Sequence, residues 1–285
     1  MKISEVIQII KDHHYKEWNG NAIKPETTRD KVLYGDVDKE CTGVVTTIYA
    51  SVEVIRKAAK MGANLIVAHE SLFWNHGDHT DWLQDNSTFK YKKALLDATG
   101  ITVWRDHDHI HAGVDWEGER VDGIFYGLSA ELGWLDYRIG NVNRPMMYEI
   151  PKTPTRDVAE YLMEKMNLNG IKTMGNVDGY TSRIFIPSHV IGPTDNQMLT
   201  IVEENNIDTI IAMEITDFTL AIFMRDGAML GQDRCVLAAG HFNVEEPGMK
   251  WFGEVFLPTI LPAELPIKFI QAGDSYTMLL RKNYL

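Results

Sequence analysis

Ten histidines occur among the 285 residues, and six of them lie between His69 and His111. The first candidate site is Ala68-His69-Glu70, at the end of the apolar run Asn64–Ala68 (NLIVA). An imidazole followed at once by a carboxylate on a strand-to-loop turn offers a metal one nitrogen and one oxygen. A capping or salt-bridged pair is the plainer alternative. The second is Arg105-Asp106-His107-Asp108-His109-Ile110-His111, directly after ITVW. On an extended chain His107, His109 and His111 share one face, with Asp106 and Asp108 on the other. Three protonated imidazoles on one face repel one another, so a bound cation explains them better than solvation. The third is Gly240-His241-Phe242-Asn243-Val244-Glu245, after the apolar run Cys235–Ala239. Glu245 and Pro247 are expected to open the next helix, with Pro247 in its first turn. A helix-capping pair is the alternative there. Three strand ends that each present His with Glu or Asp point to one convergent metal centre.

Strands and helices must alternate to bring such ends together. Ile3, Val6, Ile9 and Ile10 stand at helical spacing in an amphipathic first helix. A polar stretch, 19–31, reads as a loop. The runs 32–34, 43–49, 64–68 and 101–104 read as strands. Between them, 51–61 and 91–99 read as helices, with Ser51 as N-cap and Gly62 and Gly100 as stops. Strand, helix, strand with short connectors is a βαβ unit and implies parallel pairing. A helix over 121–132 closes this half. A second half has strands at 146–150, 171–174, 183–186, 209–213, 235–239 and 267–270. Its helices fall at 157–166 and 249–261, the latter interrupted by Pro258. The expected class is α/β, with two α/β halves (1–140 and 141–285), mixed sheets, and the metal site between them at strand C-terminal ends.

Composition narrows the partners. Lys and Arg number 28 against 40 Asp and Glu, a formal charge of −12. That balance disfavours a broad phosphate-binding surface, so a nucleic-acid partner is not expected. Cys41 and Cys235 are the only cysteines. They fit buried thiols in a reducing compartment better than a disulfide frame. No run reaches the ~20 apolar residues of a membrane span, and a cytoplasmic protein is expected. No Walker loop, GxGxxG element or GxSxG elbow is present, which disfavours P-loop, dinucleotide and Ser-hydrolase chemistry.

The three histidine segments carry a resemblance. NLIVAHESLFW resembles the strand and "AHHPLFF" turn of the NGG-interacting-factor-three-like dinuclear-metal-centre proteins, the GTP cyclohydrolase I type 2 homologue family. ITVWRDHDHIH resembles that family's "YsaHTnlD" segment, and AAGHFNVEEPGMKWF its "GHyatE.pGv" segment. The stretch from Lys152 to Tyr180 and the segment 211–214 are similar to its middle region. The resemblance implies metal ligands at His69, Glu70, His111, His241 and Glu245, with His107 at a further family histidine. Two positions depart: one family histidine is Glu70, and the family aspartate is His111. The changes are reciprocal, so the set keeps four imidazoles and two carboxylates. The family's aspartate in "LDAT" is missing, where the chain reads Ile48-Tyr49-Ala50-Ser51.

Mixed His and carboxylate ligands suit Zn, Fe, Mn or Ni, one or two ions per chain, rather than Ca. The expected function is a metal-dependent hydrolase of a small, nucleotide-like substrate. Glu245 is the expected bridging ligand, and His107 the proton shuttle, since an imidazole titrates near neutral pH. The resemblance also implies a homohexameric ring, and a non-catalytic metal-carrying or partner-binding scaffold is the alternative. His76, Asp78 and His79 read as extra ligands, substrate contacts or a solvated loop. His109, Glu149 and Glu214 read as supports for the ligands, and His13, His14 and His189 as structural. Trp74, Trp82, Trp104 and Trp116 could wall a pocket or simply pack the core.

Overall fold

The computed structural model of the chain describes residues 1–187, 189 and 196–279. It is a mixed α/β protein, and the chain divides into two compact units. The first comprises Met1–Gly127 and Glu246–Ala272, the second Leu128–Glu245 and Gly273–Leu285.

The first unit is built on a five-stranded sheet in the order Ile267–Phe269, Val44–Thr47, Leu65–Ala68, Thr102–Arg105, Val32–Tyr34. The first four strands run parallel, and Val32–Tyr34 is antiparallel at the edge. Every residue of the three central strands is buried. Full burial explains why these strands read as apolar, β-branched runs without alternation. Helix Val52–Lys60 starts at Ser51, whose side chain accepts from Val54 N, and helix Ser87–Thr99 ends at Gly100 with φ +63°. Parallel order sends all three C-terminal ends to one edge of the sheet, and there the chain continues into Tyr49, His69-Glu70 and Asp106–His111.

The second unit has a six-stranded mixed sheet, in the order Lys172–Gly175, Cys235–Ala238, Thr209–Ala212, Tyr180–Phe185, Met147–Pro154, Arg138–Ile139. Cys235–Ala238, Thr209–Ala212 and Tyr180–Phe185 are parallel neighbours. Their C-terminal ends lead to His241, Glu214 and His189.

Three local expectations change. Residues 108–112 are not extended but form one helical turn, Asp108–Ala112. Asp30 makes this turn possible, because its carboxylate takes the His107, Asp108 and His109 amides that a helix start leaves without partners. The helix expected at 249 already begins at His241, so Pro247 lies in its interior and not its first turn. Third, the stretch expected as a loop from residue 19 begins with a hairpin, Glu17–Trp18 with Asn21–Ala22, whose turn is Asn19-Gly20 with both residues at positive φ. The hairpin Val114–Trp116 with Glu119–Val121 and the helices Asn196–Glu204 and Leu220–Met229 are further elements not expected. Among the described residues no helix is long and apolar enough to cross a membrane.

Candidate metal centre

In the first unit His69, His107 and His111 come together. One ligand atom from each lies within 4.8 Å of the others, and all three residues are buried. The His69 and His107 rings stack at 4.5 Å, and His111 meets both edge-on, at 5.0 and 5.2 Å. The helical turn is responsible: His107 and His111 stand four residues apart, on one face of the turn. His109 is rotated away, and its Nδ1 meets Asp30. Gly113 stops the turn at φ +115°, a conformation that suits glycine, and releases the chain into Val114–Trp116.

Each of the three rings is anchored through Nδ1. His69 donates to the Asp106 carbonyl at 3.0 Å, His107 to the Asp108 carboxylate at 3.0 Å, and His111 to Asp122 at 3.0 and 3.2 Å. An acceptor at Nδ1 fixes the proton there and leaves the lone pair on Nε2, as outer partners do for ligating histidines. Asp122 is itself held, because its Oδ1 caps Ile124 N and Phe125 N at the start of helix Phe125–Glu131. Trp18 and Phe125 stack on His111 at 5.4 and 5.7 Å. Burial, then the neighbouring His107 and His111, hold the His69 pKa well below that of a free imidazole. His69 is therefore held in its neutral form, the form that binds a cation.

Carboxylates around this cluster are committed. Burial disfavours the Asp108 charge, but hydrogen bonds from His107 and Arg29 outweigh it, so its pKa lies far below the usual carboxylate range. The same balance lowers Asp30, where His109 is the main donor. His14 and Asp106 form a fully buried pair at 3.2 Å. Glu70 is placed beside His69 and accepts from the fully buried Arg105 at 2.9 Å. Arg105 also takes Asp78 at 2.8 Å and the His69 and His76 carbonyls. Asp78 is thus neither a solvated loop residue nor an evident ligand. His76 accepts from Arg29 Nε, and the His79 amide donates to Asn75 Oδ1, which caps the local turn.

The tryptophans do not wall one pocket. Trp104 is core, Trp82 is exposed, Trp116 packs on Trp251, and Trp74 faces Lys92. Lys92 is an unexpected buried amine that donates to Tyr49 Oη at 3.0 Å and to the Leu72 carbonyl at 2.7 Å. Burial lowers its pKa to about 7.

The second unit holds another histidine cluster. Ligand atoms of His189, Glu214 and His241 also lie within 4.8 Å of one another. Glu214 takes His189 Nδ1 at 3.1 Å on one oxygen and His241 Nδ1 on the other. His241 Nε2 faces Glu245 Oε2 at 3.1 Å, one turn along the same helix. Burial opposes the Glu214 charge, but hydrogen bonds from His189 and His241 prevail and hold its pKa at about 2. His241 and Glu245 were read from sequence. Residue pattern gives His189 a structural reading and Glu214 only a supporting one, although both follow parallel strands, the signal that identifies His69. Asp30 and Asp122 lie outside the three segments, and Arg105 opens the second without a role that residue pattern assigns. Asp122 could have been found as an N-cap before Ile124, whereas Asp30 sits in a polar loop without a pattern.

The Duf34/NIF3 (NGG1p interacting factor 3) family model matches residues 1–273, and the chain belongs to that family. The GTP cyclohydrolase 1 type 2 homolog of Staphylococcus aureus strain MRSA252 is 22% identical over 183 residues. That match covers 62% of this chain and 44% of the relative, so the chain spans less than half the length of the curated relatives it matches. Among solved structures, a Staphylococcus aureus hypothetical protein, SA1388, superposes with a TM-score of 0.65 at 17% identity, covering 95% of this chain and 96% of that one. A Bacillus cereus protein related to NIF3 gives 0.66 at 13% identity, covering 98% and 99%. Reduced HcgD from Methanocaldococcus jannaschii gives 0.59 at 19% identity, covering 94% and 97%. At these identities the structures show the fold alone.

Proposed function

We propose that the chain binds a divalent metal through His69, His107 and His111 in the first unit, with Glu70 beside them, and that His241 and Glu245 are metal ligands in the second. The observation that carries this reading is the trio of buried imidazoles, each anchored at Nδ1 with donor atoms within 4.8 Å. Nitrogen-rich donors favour Zn, Fe, Mn or Ni. A divalent ion held there supplies Lewis acidity and activates water near neutral pH.

The chain's own residues orient and protect that site. Asp122 and the Asp106 carbonyl fix ring direction, and Trp18 and Phe125 shield His111. We assign the protein as a metal-dependent hydrolase of a small substrate, with a nucleotide as the first to test, since the Staphylococcus aureus relatives are named for a GTP cyclohydrolase. Its place among the three imidazoles makes His107 a ligand in this reading. If His107→Ala retains metal and loses turnover, it is the proton shuttle instead.

The test is metal analysis of purified wild type, His69→Ala and Glu245→Ala, followed by nucleotide and phosphoester hydrolysis with each metal. Stoichiometric metal in the wild type, lost in the variants, supports the assignment. Near-zero metal in the wild type overturns it. Metal without turnover of any substrate moves the protein to a metal-carrying or partner-binding scaffold. Light scattering tests the homohexamer implied by the family resemblance.

A further inference from the structure

A cleft of about 370 Å³ opens in the second unit, lined by Trp134, Tyr137, Ile150, Asp157, Val158 and Tyr161. Small-molecule pockets occupy roughly 300–1,000 Å³, so the space suits a compact ligand. A hydrogen bond and ring packing hold the elements that make it. Tyr161 lies on helix Thr155–Met166 and donates its hydroxyl to the Leu132 carbonyl at 2.6 Å. Trp134 lies nearly parallel to it, at 6.2 Å and 12°, and is packed from the side by Tyr148 at 5.3 Å. Tyr137 stands exposed at the rim.

Asp157 is one turn before Tyr161 on the same helix and shares its face. Its exposed carboxylate makes no ion pair or hydrogen bond among the described residues. The nearby cations in sequence are occupied elsewhere: Arg156 holds Asp178 at 2.6 Å, and Lys152 lies 4.7 Å over the Tyr180 ring. Tyr161 already draws the Lys165 ammonium to 5.5 Å from its ring centre.

Aromatic faces carry negative potential and attract cations, most strongly those with low hydration. A carboxylate beside them adds a full charge of the same preference. An anion meets repulsion from both. A neutral apolar molecule gains burial against Ile150 and Val158 but leaves the carboxylate partly desolvated and without a partner. An alkylated ammonium satisfies all three surfaces, because its methyl groups contact the rings and the aliphatic side chains while its charge faces Asp157.

We propose that this cleft is a binding site for a small alkylated ammonium ion, recognised by Trp134, Tyr137 and Tyr161 and by the Asp157 carboxylate. The proposal goes beyond the metal reading and does not depend on it.

The test is calorimetric titration of the full chain at low ionic strength with choline and with its neutral isostere 3,3-dimethyl-1-butanol. Choline is expected to bind saturably, one per chain, and the alcohol at least about tenfold more weakly. Asp157→Asn and Tyr137→Ala, both surface changes, are each expected to weaken choline by about five- to tenfold. Circular dichroism and metal content should stay unchanged. Three results overturn the proposal: no saturable choline binding to wild type, equal binding of the two probes, or wild-type choline affinity in both variants.

Discussion

The two histidine clusters are made in the same way and differ in what their rings face. Both gather at the C-terminal ends of parallel strands, where open α/β sheets place their ligands. In the first unit the Nδ1 acceptors are a backbone carbonyl and two aspartates that are themselves held by amides or an arginine. In the second, His241 has a carboxylate oxygen at each nitrogen, Glu214 at Nδ1 and Glu245 at Nε2. The first arrangement leaves Nε2 lone pairs for a cation. The second brackets the His241 ring with carboxylate oxygens instead. Burial separates them further: the first trio is buried, whereas His189 is exposed and Glu214 and His241 are intermediate. Similar residue types on similar strand ends thus offer a prepared ligand set and a carboxylate-bracketed one.

The largest expected effect tests that contrast directly. His111→Ala should reduce metal affinity by more than about a hundredfold, while His189→Ala should change it by less than about threefold. Chelator competition measures both, and equal losses would erase the distinction between the clusters.

Next in size is stability. Glu70→Ala removes one partner of a fully buried guanidinium and should cost about 2–3 kcal/mol. Asp78 still holds Arg105, which keeps the loss below that of an orphaned buried charge. Glu214→Ala, in a half-exposed network, should cost less than about 1 kcal/mol. Urea unfolding of the metal-free variants separates them. A stable Glu70→Ala protein with depleted metal would show that the carboxylate serves the metal more than Arg105.

Asp122→Asn keeps size but weakens the anchor of His111, and a roughly tenfold loss of metal affinity is expected. Unchanged affinity would mean that stacking by Trp18 and Phe125 alone orients the ring.

The smallest effect is the pH response of the metal-free protein. The folded state resists protonating His69, whereas the unfolded chain protonates it near the ordinary imidazole pKa of about 6.5. Below that pH the unfolded state binds more protons, so stability falls as pH drops, by up to about 1.4 kcal/mol per unit for one proton. His14 acts oppositely. Burial alone lowers its pKa, but Asp106 outweighs that and raises it. Its contribution is complete below about 6.5 and is lost as pH rises through its folded value. His69→Gln should therefore flatten the acid limb of a stability profile in chelator and leave the neutral limb intact. A steeper acid limb in that variant would contradict the neutral-imidazole picture.

Much of the scaffold was legible from residue pattern. The runs at 44–47, 65–68, 102–105, 209–212 and 235–238 are short, apolar and β-branched because their strands are buried, and Ser51 and Gly100 mark helix ends by their own chemistry. His69 and His241 could be singled out because each follows such a run. The turn at 108–112 could not be read, since its start depends on Asp30, 77 residues before His107. Glu70 and His111 were recognisable as departures from the family pattern, but not the consequence for Glu70, which follows from the burial of Arg105.

The sequence by itself determined which strands are buried, where the chain turns at their ends, and that imidazoles and carboxylates leave those ends together. These are local properties of spacing, side-chain shape and capping. Only the tertiary structure decided that His107 and His111 share a helical face while His109 turns to Asp30, that Arg105 takes Glu70, and that His189 joins Glu214. Each of those outcomes depends on which polar groups, distant in sequence, the fold brings together, and the spacing of residues along the chain does not encode that choice.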